Sequence, residues 1–262
     1  MEKPVTSSLT VRIITLIAVV ANVLFNYLYS VGPLALKNIR DVTYDHPNFF
    51  TPAGYAFSIW GVIYLAFFIF SIYALLPSQR SNSALNKLAL PLIAANILGS
   101  VWIAVFSHEW LLLSVILLFV QVANGIYMLI VARRLAAQRQ IHEAVVTPFS
   151  IYGGWVSVAS IANTAIYLVS IGWHGEPLTE PIVTIILLVV ALLLAVITGF
   201  RLYDFLYPLV IAWAAIAIYV ENAPKQGDVA LAALVIGSAA ALVSALLFIW
   251  KFLLKREASI KL

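Results

Sequence analysis

The sequence predicts an all-α fold, a polytopic integral membrane helix bundle of about eight transmembrane helices. Three observations carry that expectation. Hydrophobic residues make up 63% and charged residues 10% of the 262-residue chain, with a mean hydropathy of +1.03, far from the averages of soluble domains. Apolar runs recur at the roughly 20-residue length that a bilayer core of about 30 Å requires, separated by short polar or Pro/Gly-bearing joints. Runs such as IVTIILLVVALLLAVI also lack the period-two alternation of an outer-membrane barrel strand.

Taken in order, the first span covers residues 10–34. It follows Lys3 and Arg12, yet it is longer than a secretory h-region, carries Asn22 and Asn26 and shows no A-x-A-like site before Pro33, so it reads as a retained helix. The second, 52–76, opens on Thr51-Pro52, an N-cap followed by proline at the first helical position. The third and fourth, 88–107 and 110–132, hold Asn96, Gln121 and Asn124 within apolar sequence. The fifth, 148–172, opens on a second Thr-Pro pair, Thr147-Pro148. Spans 181–200, 205–221 and 229–250 complete the set, with Arg201 and Asp204 at the turn between the sixth and seventh, where they could pair.

Charge gives an orientation. If alternate joints face opposite sides, Lys3, Arg12, Arg80, Lys87, Arg133, Arg134, Arg139, Arg201, Lys251, Lys255, Arg256 and Lys261 lie on the side of both termini. Only Lys37, Arg40 and Lys225 lie opposite. That bias predicts a cytoplasmic membrane protein with both termini in the cytoplasm. The net charge of +4 thus describes topology, and nucleic-acid binding gains no support from it.

The inventory excludes several chemistries. The chain has no cysteine, so disulfides and thiolate sites are ruled out. His46, His108, His142 and His174 fall in joints without ligand spacing, and no metal site is expected. No charged residue occupies mid-span, which argues against proton-coupled transport, and no P-loop is present. The neutral polar residues inside the spans, Asn22, Asn26, Asn96, Gln121, Asn124, Ser157, Ser160, Asn163 and Thr164, read individually as interhelical glue.

Aromatic spacing points elsewhere. Phe57, Trp60 and Tyr64 stand at i, i+3 and i+7 in the second span, and Tyr152, Trp155, Ala159 and Asn163 at i, i+3, i+7 and i+11 in the fifth, each set on one stripe. The third span adds Asn96, Trp102 and Phe106. Trp110, Trp173 and Trp250 fit an interfacial belt, whereas Trp60 and Trp155 sit about two turns inside their helices, where an indole N–H needs a partner. Tight helix packing and a pocket between helices both satisfy that pattern.

Three motifs together resemble a known family. F-x-P-x-G-Y-x-F-x-x-W-x-x-x-Y over Phe50–Tyr64, N-x-x-x-x-x-W-x-x-x-F over Asn96–Phe106 and Y-x-x-W-V-S-x-A-x-x-x-N over Tyr152–Asn163 are similar to the TspO/MBR family, the tryptophan-rich sensory proteins related to the mitochondrial translocator protein. The resemblance covers roughly residues 9–172. It departs at Ser58-Ile59, where the family commonly carries a proline, and at Pro148, which stands farther from Tyr152 than the family's proline does. It implies a five-helix unit at 1–175; residues 176–262 add a three-helix transmembrane extension that has no counterpart in the compact members of the family.

By the same resemblance, Phe57, Trp60, Tyr64, Asn96, Trp102, Phe106, Tyr152, Trp155, Ala159 and Asn163 would surround an inter-helix pocket, partly covered by the joint Pro33–Phe49. The ligand expected there is flat, apolar and aromatic, a tetrapyrrole such as a porphyrin or haem-like molecule, or a sterol-like one. The function expected is that of a membrane receptor or sensor with no required cofactor and no catalytic or metal residues, and a homodimer is a possible assembly, since family members often pair through the third helix. The alternatives are a facilitated translocator of such ligands, a porphyrin-degrading activity and a purely structural membrane protein.

Overall fold

Each expected span is a helix in the computed structural model, which describes residues 5–30, 34 and 36–251. Pro33 and the basic residues Lys3, Lys255, Arg256 and Lys261 of the charge argument lie outside the described residues. The helices are α1 (Val5–Ser30), α2 (Ile39–Asp45), α3 (Ile59–Leu75), α4 (Asn86–Ser107), α5 (Leu111–Ala137), α6 (Thr147–Ser170), α7 (Glu180–Leu202), α8 (Leu206–Asn222) and α9 (Gly227–Ile249). Among the described residues every regular element is helical. Among the described residues seven helices are long and apolar enough to cross a membrane. The eighth, α8, has 17 residues, about 26 Å of rise, the lower limit for a span. The protein is a multi-pass membrane protein set in a lipid bilayer.

Two compact units divide the chain, and the division does not follow the 175/176 line drawn from the sequence. One comprises the chain up to Asp45 together with Ser58–Val156; the other comprises His46–Phe57 and the chain from Ser157 onward. The boundary therefore falls inside α6.

In the first unit α1 packs against α3 and α4, α4 against α5, and the short α2 against α4. The joint expected over Pro33–Phe49 contains the short helix α2, in which Val42 and Thr43 are buried, and Lys37 forms ion pairs with Asp45, at 2.7 Å, and with Glu109. Ser107 Oγ donates to the Lys37 carbonyl at 2.7 Å. Polar bonds join α1 to α4: Asn22 Nδ2 donates to Asn96 Oδ1 at 3.1 Å, and Ser100 Oγ to Asn22 Oδ1 at 3.0 Å.

Arg12, which the sequence presented as a flanking charge, is 3% exposed. Its guanidinium donates to Asn86 Oδ1 and to the carbonyls of Ala74, Gln79 and Asn82 at 2.6–2.8 Å. The α3–α4 joint thus wraps around one cation.

In the second unit α7, α8 and α9 pack on one another. Asp204 is buried, and its Oδ1 holds the first turn of α8 by accepting the Tyr207 N–H at 2.9 Å. Gly199 is required by close approach, since a Cβ there would lie 2.9 Å from both Leu247 Cδ1 and Pro208 Cγ.

The start of the second span corrects the sequence expectation. The α-helix begins at Ile59, after a 3-10 turn over Gly54–Ser58, and not at Pro52. Thr51 Oγ1 is buried without a hydrogen-bond partner, so it caps nothing. Ala53 N–H donates to the Ala217 carbonyl at 3.0 Å, Asn222 Nδ2 donates to the Phe49 carbonyl at 2.9 Å, and Trp213 Nε1 donates to the Ala56 carbonyl at 3.3 Å. Partners on α8 take the backbone groups that a local helix start would have used.

Candidate functional site

The site is built from α3 and the first part of α6, which lie side by side in opposite directions. Their aromatic residues pair in descending order: Trp60 with Trp155, Phe67 with Tyr152, and Phe70 with Phe149, at ring-centroid distances of 6.2, 5.3 and 5.1 Å. On α3, Trp60, Tyr64 and Phe67 follow at i, i+4 and i+7, one face of a helix. On α6, Phe149, Tyr152 and Trp155 follow at steps of three. The result is a ladder of rings with Trp60 and Trp155 at its upper rung.

Three indoles from three helices converge there. Trp60 of α3 lies 6.1 Å from Trp102 of α4 and meets Trp155 of α6 edge to face, at an interplanar angle of 87°. Tyr64 stacks on Trp60 at 5.7 Å, and Phe106 stacks on Trp102 at 5.2 Å. These are contact distances for aromatic rings, so in this structure the indoles fill the space between them. Trp155 and Trp102 are 2% and 6% exposed, while Trp60 is half-buried. Trp60 is therefore the one of the three indoles that is not fully buried.

Below the indoles is a polar couple. Tyr152, 2% exposed, donates its hydroxyl to Gln121 Oε1 of α5 at 3.2 Å. Gln121 Nε2 is buried with no partner. Gly125, one turn along α5, lets the Tyr152 ring approach, since a Cβ there would stand 3.2 Å from its Cε1.

The structure thus brings Trp60, Tyr64, Trp102, Phe106 and Trp155 together, with Tyr152 one turn of α6 away. Asn96 is turned to α1, where it accepts from Asn22 and donates Nδ2 to the Leu92 carbonyl at 2.7 Å. Phe57 lies in the 3-10 turn before α3, so the helical stripe starts at Trp60. Phe57, Ala159 and Asn163 belong to the second unit. In that unit Asn163 is buried, and Ser157 Oγ accepts the Tyr207 hydroxyl at 2.8 Å.

Sequence reasoning did not single out Phe67, Phe70 and Phe149, or Gln121 as a site residue. The signal for Phe67 was present, because it continues the Trp60 stripe by two turns. Phe149 likewise precedes Tyr152 by three. Gln121 carries no signal of its own, since any polar residue in a span has the same appearance.

A family model described as "TSPO-like protein" matches residues 12–250, a range that includes the three C-terminal helices. No curated protein and no solved structure matches the chain.

Proposed function

The chain belongs to the TSPO-like protein family, whose kind of role is that of a membrane sensor or translocator, and from that premise we propose that it is a receptor for a flat, largely apolar aromatic molecule, a tetrapyrrole or a sterol-like compound, held between α3, α4 and α6. The observation that carries this reading is the meeting of Trp60, Trp102 and Trp155 at 6.1–6.2 Å. The ligand would enter by displacing the half-buried Trp60 and its stacked Tyr64, exchanging ring–ring contacts for ring–ligand contacts of the same kind. Trp155 and Trp102, fixed by burial, then form the wall. No residue of the cluster is assigned a catalytic role. The basic residues on the side of the α3–α4 and α5–α6 joints support an orientation with both termini cytoplasmic.

The test is a titration of the purified protein in detergent with protoporphyrin IX, followed by tryptophan quenching and porphyrin absorbance. Each indole contact contributes about 0.5–1.5 kcal/mol beyond area burial. Trp60→Phe together with Trp155→Phe is expected to weaken binding on the order of ten-fold. Unchanged affinity in the double variant would overturn the reading.

A further inference from the structure

At the foot of the aromatic ladder a groove of about 580 Å³ lies between α3 and the start of α6, open along the exposed Ile69, His142 and Ala144. This is within the roughly 300–1,000 Å³ of small-molecule sites. Its α3 wall is Ala66, Ile69, Phe70 and Tyr73, at i, i+3, i+4 and i+7, a single helix face. The opposite wall includes His142, Ala144 and Thr147. Small side chains at 66 and 144 leave the space open.

The lining is sorted by depth. Because α3 and α6 run in opposite directions and Phe70 meets Phe149, the last turns of α3 lie level with the first turn of α6. Tyr73, Thr147 and His142 therefore share the end of the groove near the joints, while Ala66 and Ile69 lie deeper along α3. The His142 Nδ1 accepts the Ala144 N–H at 3.2 Å, which leaves the neutral ring with its proton on Nε2. Tyr73 and Thr147 add two hydroxyl-bearing residues to the lining at the same end. Beside it Glu143 pairs with Arg133 of α5 at 2.9 Å, Arg134 stands in the last turn of α5, and Arg139 lies in the joint that follows.

An apolar body with an acceptor-rich head complements this arrangement. We infer that the groove holds one membrane phospholipid, its phosphate at Tyr73, Thr147 and His142 and an acyl chain along Ala66, Ile69 and Phe70. This site is separate from the indole cluster and independent of the reading given for it.

The test is native mass spectrometry of the full chain, delipidated in detergent and then titrated with palmitoyl-oleoyl phosphatidylglycerol, with the diacylglycerol of the same chains and with inorganic phosphate. One phosphatidylglycerol per chain is expected to be retained, roughly ten-fold more tightly than diacylglycerol, the worth of one or two hydrogen bonds to a charged group. Inorganic phosphate is expected not to displace it, and Tyr73→Phe with Thr147→Val to erase the preference. Ala66→Trp, which fills the trough, is expected to abolish retention; Ala144→Phe fills it from the other wall should the first variant not fold. Equal retention of diacylglycerol, displacement by phosphate, absence of any retained lipid, or full retention in a folded filling variant would each overturn the proposal.

Discussion

Trp155 and Trp60 meet edge to face, 6.2 Å apart at 87°, yet Trp155 is buried and Trp60 only half-buried. Trp155→Ala is therefore expected to lower stability toward the lower end of the roughly 3–5 kcal/mol typical of large-to-small changes at buried tryptophan, because the unfolded chain remains in apolar lipid and the transfer part of the cost is small. Trp60→Ala is expected to cost clearly less. Unfolding in mixed detergent, monitored by circular dichroism, measures both; equal losses would contradict this division.

The Arg12 cage predicts an unusual intolerance to lysine. Four oxygens receive the guanidinium, and a compact ammonium with three donors cannot reproduce that fork. Hydrogen bonds to a charged group contribute about 1.5–3 kcal/mol each, so Arg12→Ala is expected to lose at least about 3 kcal/mol. Arg12→Lys is expected to recover less than half of that, by the same unfolding measurement.

Gln121 and Tyr152 predict a sign change in a double-mutant cycle. Gln121→Met leaves the buried phenol without an acceptor, and Tyr152→Phe leaves the amide with nothing, so each alone is expected to cost about 1 kcal/mol or more. The double variant removes both polar groups, including an amide nitrogen that has no partner, and is expected to be more stable than the wild type by about 1 kcal/mol. A double variant weaker than either single one would show that the couple stabilises the bundle.

Lys37 makes a pH prediction for the first joint. Asp45, and then Glu109, hold its ammonium above the usual lysine range. A raised pKa contributes stability fully below the unfolded value, and that contribution is lost as pH rises through the folded one. The tie of Lys37 to Asp45 and Glu109 is therefore expected to persist past the ordinary lysine range and to release only at higher pH. Limited proteolysis of residues 38–45 across an alkaline series reads this. Lys37→Met is expected to expose the segment at neutral pH.

Much of this architecture was legible in the sequence because a bilayer leaves few options. Apolar length located each span, although α3 starts seven residues after the expected Pro52 and α5 ends five residues after the expected 132, and Thr147-Pro148 marks the start of α6 at Thr147. The identical Thr-Pro signal at Thr51 failed. There the deciding partners are carbonyls and side chains of α8, far along the chain, and no local pattern announces them. The aromatic stripes placed Trp60 and Trp155 on the faces by which α3 and α6 meet, since three-dimensional pairing follows helical phase. Asn96 shows the limit of phase arguments on α4, for its partner Asn22 offers as good an explanation as any ligand. Arg12 was legible only as a charge, because backbone carbonyls, which every residue carries, make up most of its surroundings.

The cage has an implication for how the molecule is made. Every partner of Arg12 lies 62–74 residues downstream, so when α1 leaves the ribosome and enters the bilayer, the groups that will neutralise its guanidinium do not yet exist. During synthesis that arginine stays with water and lipid headgroups, and α1 can seat only after the loop joining α3 to α4 has emerged. Assembly order, and not just final stability, is thereby written into one side chain.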